Sequence, residues 1–361
     1  MREEGGMKLS MERRMYRRWL TGLLICTLIL TLGYARATQQ ESEDIPVSAS
    51  GETLVYPCGM AVGIYLQTSG VLIVGTGEVT DENGTVTNPA QGLVEAGDYI
   101  EKVNGQEVGS KTELVNTIRD QGDEPVELTV RRDGDERTVT IQPVRGDDGL
   151  YRLGIWVRDD TQGIGTLTYV TQDGSFGALG HGISDTDTGT LVEALSGSLY
   201  PALVTGIIRA TSSVAGSLTG SIFYEESSCL GLISGNSDCG IFGTLSVDPE
   251  EDWGLTAVPV AAAEEVTEGT AILRSDISGE LRDYEIEIEK VCPYDTENKN
   301  LVLRVTDPEL LELTGGIIQG CSGSPILQNG KLVGAVTHVL LDDSTRGYGI
   351  FAETMLENGA G

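Results

Sequence analysis

From residue 150 to the C-terminus the chain is a succession of short apolar runs, rich in Val, Ile and Leu and broken by Gly, Thr and Ser. This rhythm constrains the fold more than any other feature. Runs of strand length recur at 153–158, 165–170, 199–207, 255–260, 270–274, 284–289, 301–305, 332–338 and 347–350. β-Branched residues suit a pleated, half-buried surface, and the small polar residues between runs supply the turns. Helical periodicity is nearly absent here, so a β-barrel or sandwich is expected. The 48 Gly against only 4 Phe and 3 Trp require an aliphatic interior, and 361 residues suffice for two domains.

Upstream of the turn-rich junction Gly146-Asp147-Asp148-Gly149 the pattern is mixed. Strand-like runs at 64–67, 71–74, 99–103, 126–131 and 138–142 accompany one amphipathic helix at 111–120, and Asp133-Gly134 marks a hairpin turn. This order resembles an α+β PDZ domain. The resemblance rests on Gly59-Met60-Ala61-Val62-Gly63-Ile64, Ser69-Gly70-Val71-Leu72-Ile73-Val74, Asn88-Pro89-Ala90, Ala96-Gly97-Asp98-Tyr99-Ile100 and Val103-Asn104-Gly105. It implies that Gly59, Met60, Ala61, Val62, Gly63 and Ile64 form the peptide-binding segment. Gly59 and Gly63 would turn backbone N–H groups inward as a nest for a carboxylate, and 64–67 would offer an open edge to an added strand. The helix would form the opposite wall. A plainer reading makes these glycines the permissive residues of a tight turn. The domains expected are a signal peptide or membrane anchor at 1–37, a polar linker at 38–50, a PDZ domain at 51–145 and a second domain at 146–361.

The first eighteen residues hold six Lys/Arg and three Glu, and the run 19–34 carries no charge. A basic flank before an uncharged, largely apolar run is an export signal, and Ala35-Arg36-Ala37 resembles a small-x-small cleavage site. Removal of the segment and its retention as an anchor both stay open. Either places the acidic bulk outside the cytoplasm. A formal charge of −31, from 55 acidic and 24 basic residues, repels a nucleic-acid backbone. Six scattered cysteines and only two histidines give a zinc site little to draw on, and no metal or cofactor is expected. Cys229 and Cys239 could pair in an oxidising compartment, with free buried thiols the preferred state.

The sharpest motif is Gln319-Gly320-Cys321-Ser322-Gly323-Ser324-Pro325-Ile326, followed by a strand. Acyl transfer needs a hydroxyl on a tight turn with backbone N–H groups aimed where a carbonyl oxygen becomes negative. Gly320 and Ser322 stand at the spacing whose two N–H groups form the oxyanion hole of chymotrypsin-like peptidases, and the Gly-x-Ser-Gly-Ser-Pro run resembles their signature. Ser322 then needs a base. His181 lies in a glycine-flanked loop, whereas His338 lies in an apolar strand where a structural role is the better reading, although it could still line the site. For a carboxylate that orients the imidazole, the residues alone leave Asp307, Asp185 and Asp187 open; the last two also suit a turn.

Thr166-Leu167-Thr168-Tyr169, the run from Phe176 through Gly180-His181-Gly182 to Asp185, Val305-Thr306-Asp307-Pro308 and the Ser322 motif together closely resemble the stage IV sporulation protein B peptidases of endospore-forming bacteria. The order of export signal, PDZ domain and peptidase domain matches as well. The resemblance implies a chymotrypsin-like β-barrel serine endopeptidase with His181 as base, Asp307 as orienting acid and Ser322 as nucleophile. It implies a signalling protease exported across the forespore membrane into the intermembrane space. Such a protease cleaves itself and then a membrane-bound regulator of an intramembrane metalloprotease, which triggers processing of a sigma factor precursor. The PDZ groove would take C-terminal or internal peptides. Cys321 departs from the family, where methionine is expected, and Asp307 stands nearer the serine in sequence than in chymotrypsin-like enzymes. Two rival readings are a non-catalytic tethered PDZ adaptor and a general envelope quality-control protease.

Overall fold

The computed structural model describes residues 53–359 apart from 212, 213 and 341; the expected signal or anchor segment (1–37) and the linker (38–50) lie outside them. Among the described residues no helix is long and apolar enough to cross a membrane.

The architecture is two six-stranded β-barrels with an α+β insertion in the first. A strand of 23 residues, β1 (Leu54–Thr76), begins in the first barrel and runs on into the insertion. The insertion contributes β2 (Tyr99–Val103), helix α1 (Lys111–Gln121), β3 (Val126–Arg132) and β4 (Asp135–Ile141). The chain then returns along β5 (Ile155–Thr171), antiparallel to β1 throughout, with an irregular register where one body gives way to the other between Gln67 and Leu72. The rest of the first barrel is β6 (Ser175–Ala178), β7 (Ala194–Ile208), β9 (Gly231–Ser237) and β10 (Gly240–Leu245), while β8 (Ser217–Ile222) pairs with the outer half of β7. The pairings β1–β5, β5–β6, β6–β10, β10–β9, β9–β7 and β7–β1 complete the ring.

The second barrel closes through β11 (Gly269–Ser275), β12 (Arg282–Val291), β13 (Leu301–Val305), β16 (Asp343–Phe351), β15 (Lys331–Leu340) and β14 (Pro325–Gln328). Helix α2 (Pro308–Thr314) bridges β13 to the Ser322 loop, and α3 (Ala352–Gly359) ends the described chain. Each body has its own aliphatic core. Val62, Ile64, Leu66, Leu167, Val170 and Leu199 fill the first barrel, Ile286, Leu303, Ile326 and Val336 the second, and Val71, Ile100, Leu114, Leu128 and Val130 the insertion. Another cluster, including Tyr169, Phe242, Ile350 and Met355, carries α3 and joins the barrels. Alternation along β12, whose Tyr284, Ile286 and Ile288 are buried between exposed neighbours, is the period-two pattern of a strand with one face in a core.

The expected PDZ start needs correction. Gly59, Met60, Ala61, Val62, Gly63 and Ile64 lie in the first barrel: Met60–Ile64 pair with β5, and Val62, Gly63 and Ile64 also pair with β7. Both ladder edges at Val62–Ile64 are occupied and Ile64 is buried, so no peptide strand can add there. The error has a physical origin. A strand continuous across two bodies gives no compositional break at the boundary, and the actual change falls near residue 70. The hairpin at Asp133-Gly134 forms as expected, and the helix expected at 111–120 runs one residue further, to Gln121. Cys229 and Cys239 are free thiols.

Candidate active site

His181 and Ser322 stand on opposite barrels and line the same cleft of about 580 Å³. His181 follows β6 of the first barrel. Ser322 lies between α2 and β14 of the second. The two loops interlock through Thr166 on β5. Its N–H donates to the Ser322 carbonyl (3.1 Å), its carbonyl accepts from Leu179 N–H (3.2 Å), and its hydroxyl donates to the Gly320 carbonyl (2.8 Å). Gly323 seals the joint. A β-carbon there would sit 2.2 Å from the Thr166 carbonyl oxygen and 2.5 Å from Leu179 N, and its φ is +94°. Two residues before His181, Leu179 has φ +70°. A non-glycine residue in that region stores about 1–3 kcal/mol of strain, which surrounding structure must hold.

The main chain around Ser322 is arranged to point two N–H groups outward. The Gln319 carbonyl accepts from Leu218 N–H (2.8 Å) and the Cys321 carbonyl from Ser324 N–H (2.9 Å). In a trans peptide the N–H points opposite to its carbonyl, so fixing these two oxygens aims the Gly320 and Ser322 N–H groups the other way. Neither N–H has an acceptor among the described residues. That is the donor pair a developing oxyanion requires.

His181 Nδ1 lies 2.9 Å from the Gly182 carbonyl oxygen. A carbonyl can only accept, so Nδ1 carries the proton and the neutral ring keeps its lone pair on Nε2, ready to take a proton. Burial lowers the His181 pKa from its ordinary value of 6.5, against a smaller upward pull from that carbonyl. The Ser322 hydroxyl donates to the Thr337 carbonyl on β15 (2.8 Å). No hydrogen bond joins Ser322 to His181 in this state; rotation about the serine χ1 would redirect the hydroxyl, and such contacts often tighten only with substrate.

The other expected site residues divide. His338 reaches the site: it is exposed, its ring centroid is 5.2 Å from that of His181, and it lines the same cleft. Partial desolvation of its ring against the cleft wall, then His181 and Lys299, lower its pKa. Asp307, expected as the orienting acid, lines neither cavity that His181 lines. It is the N-cap of α2, where Oδ1 accepts from Glu309 N–H (2.9 Å) and Leu310 N–H (3.0 Å) and Oδ2 from Glu285 N–H (3.3 Å). Asp-Pro before a helix is a capping signature, and it outweighs the orienting role here. Asp185 is buried against Arg158 and accepts from the N–H groups of Asp187 and Thr188, while Asp187 also binds Arg158. Burial pushes the Asp185 pKa up, but those N–H groups and Arg158 outweigh it and hold the carboxyl below its ordinary range. Both acids therefore staple the His181 loop. Among the described residues no carboxylate hydrogen-bonds to His181; Asp238 and Glu297 line a smaller cavity of about 300 Å³ that shares His181 and His338 with the cleft. No cluster of His, Cys, Asp and Glu among the described residues could hold a metal.

The insertion has a groove of its own, about 470 Å³, between Leu114, Val115 and Ile118 of α1 and residues 153–157 at the start of β5. This groove replaces the one expected at Gly59–Ile64. The sequence signal for it was Leu153-Gly154-Ile155, an apolar-Gly-apolar step entering a strand.

Residues 149–356, more than half of the chain, match the family model of the SpoIVB peptidase S55. The chain belongs to the SpoIVB peptidase S55 family. This S55 peptidase is a serine peptidase whose residues 70–146 match the tricorn protease PDZ domain, in agreement with a PDZ body that begins after the first-barrel part of β1. A zinc metalloprotease RasP of Geobacillus kaustophilus is 31% identical over 115 residues, 25% of this chain and 26% of that protein, so the chain spans about a quarter of that relative. Among solved structures, the PDZ domain of the SdrC-like protein of Listeria monocytogenes is 21% identical and covers 24% of this chain and 86% of its own, with TM-score 0.21. The active form of the Rv3671c protease of M. tuberculosis is 15% identical over 55% of this chain and 73% of its own, with TM-score 0.30. The HtrA-type protease AlgW with a decapeptide is 9% identical over 84% of this chain and 64% of its own, with TM-score 0.34. Sequence reasoning for the S55 peptidase missed Thr166 and Leu218 as supports of the Ser322 loop. Thr166 stood in plain view within a family motif, but the Leu218 contact is made by a backbone N–H, which leaves no residue-type signature.

Proposed function

We propose that the chain is a sporulation-signalling serine endopeptidase with Ser322 as nucleophile and His181 as general base, acting on itself and on a membrane-bound regulator of an intramembrane metalloprotease. The observation that carries the catalytic part is the shared cleft of His181 and Ser322 with the Gly320 and Ser322 N–H groups free beside it. The serine hydroxyl attacks a peptide carbonyl and its proton passes to Nε2 of His181. The oxyanion rests on the two N–H groups, the acyl-enzyme forms as the amine leaves with that proton, and water then repeats the cycle from the same base. The Gly182 carbonyl takes the tautomer-fixing part that a carboxylate has elsewhere. No Asp, Glu, Lys or Arg side chain lines the cleft, whose titratable side chains are the two imidazoles and whose walls include Ile164, Ile183, Ile317, Ile318 and Val339. Such walls favour an extended, uncharged substrate segment.

In this reading the PDZ groove between α1 and β5 holds a C-terminal or internal peptide of the substrate and so raises its effective concentration at the cleft. In the same reading the N-terminal segment expected to be an export signal carries the enzyme across the forespore membrane, where it stays tethered or is released. Self-processing of the purified full-length chain tests the assignment: wild type should cut itself at one or two defined positions and Ser322→Ala should not. Self-cleavage persisting in Ser322→Ala would overturn the catalytic claim. Extensive degradation of unfolded casein would instead support envelope quality control.

A further inference from the structure

Strand β7 serves two bodies. Its first half closes the first barrel against β1 and β9, whereas 202–208 leave the barrel and pair only with β8 as a two-stranded ribbon. The ribbon crosses to the second barrel. Ala210 N–H donates to the Thr314 carbonyl (2.8 Å), the Arg209 guanidinium to the Leu311 carbonyl (3.1 Å) and Gln319 N–H to the Gly216 carbonyl (2.9 Å). Leu218 N–H returns to the Gln319 carbonyl, which makes a parallel bridge between Ser217 and Gln319. Ile207, Ala210 and Leu218 pack on the second-barrel core. Over 194–224 the only charged residue is Arg209, so apart from its guanidinium the contact rests on main-chain hydrogen bonds and apolar packing.

We propose that this ribbon is a positioning element of the oxyanion hole, with Leu218 N–H holding the Gln319 carbonyl so that Gly320 N–H stays aimed at the cleft. The inference rests on the peptidase reading. Rotation of the Gln319–Gly320 peptide would put a carbonyl oxygen where the oxyanion forms, and the Leu218 bond opposes that rotation. The outer ribbon is not part of either barrel ring, so weakening it leaves both hydrogen-bonded rings closed while loosening the apolar cover that Ile207, Ala210 and Leu218 give the second core.

The test uses the full chain and hydrolysis of p-nitrophenyl butyrate, with kcat, KM and thermal unfolding measured for each variant. Leu218→Pro removes the donor. Gly216→Val acts by a second route, because a β-carbon at Gly216 would sit 2.5 Å from the Ile208 carbonyl oxygen, 2.6 Å from Ala210 N and 2.5 Å from Cγ2 of the cleft residue Ile318. Leu218→Ile keeps the N–H. The expected result is a kcat loss of about 100-fold in Leu218→Pro and Gly216→Val, the size of losing one oxyanion donor. KM should stay near wild type, and Tm should fall in the two disruptive variants because Leu218 packs on the second core and Ile318 lies in it. The kcat is therefore read per folded enzyme well below Tm, and Leu218→Ile should retain wild-type kcat. A kcat within about threefold of wild type in both disruptive variants, or a loss equally present in Leu218→Ile, would overturn the proposal. Hydrolysis undiminished in Ser322→Ala would instead remove the peptidase reading, and this inference with it.

Discussion

Replacing Gly323 by alanine tests whether the two loops are held by direct backbone contact. The added β-carbon would lie 2.2 Å from the Thr166 carbonyl oxygen, 2.5 Å from Leu179 N and 2.9 Å from Leu179 Cα. All three are main-chain atoms, so no side-chain rotation relieves the clash. Ordinary contact at about 3.4 Å or more demands a shift of roughly 1 Å between the Ser322 and His181 loops. Alanine at φ +94° adds strain of about 1–2 kcal/mol. A 1 Å misplacement of reacting groups costs on the order of 100-fold in rate. Gly330→Ala is the control, because Gly330 has φ +78° with nothing within 4 Å of the added carbon. Ester or peptide hydrolysis, measured beside thermal unfolding, should show Gly323→Ala reduced about 100-fold in kcat/KM and Gly330→Ala reduced only in stability. Equal activity in the two variants would refute the interlock.

Three further outcomes follow from the same geometry. Thr166→Val removes the donor to the Gly320 carbonyl and should cost about 1–3 kcal/mol in stability or transition-state binding, with Thr166→Ser restoring most of it in the same kcat and Tm measurements. The acid limb of the kcat/KM profile should fall below the ordinary imidazole value of 6.5, because burial favours the neutral, active form of His181; a midpoint above that value would contradict the environment described. The matching stability effect has the same sign: as pH drops below 6.5 the unfolded chain takes up the proton first, so His181 contributes a loss of stability there. Arg158→Ala leaves the buried Asp185 carboxylate without its partner and should destabilise the His181 loop region by about 3–5 kcal/mol, read by denaturant unfolding.

The β character, the helix expected at 111–120 and the tight turn at Ser322 were legible because each follows from local chemistry: β-branched runs, a 3.6-residue apolar period, and glycines on both sides of one serine. That His181 and Ser322 would line one cleft was legible for a different reason, since two histidines left little choice. What stayed hidden was continuity and competition. The passage of β1 from barrel to PDZ body has no turn or composition change to mark it, so Gly59–Ile64 were placed in the wrong body. Asp307 suits both a helix cap and an orienting acid, and only the placement of α2 decides between them. His338 sits in an apolar sequence context but faces the cleft, because the buried run 332–337 of β15 ends just before it.

The most direct measurement is the rate and site of fluorophosphonate labelling of the full-length protein across pH, for wild type and His181→Ala. The account predicts a single adduct on Ser322, formed along an acid limb below 6.5, and near-complete loss of labelling in His181→Ala. An adduct elsewhere, or labelling of Ser322 at the wild-type rate without the imidazole, would contradict it.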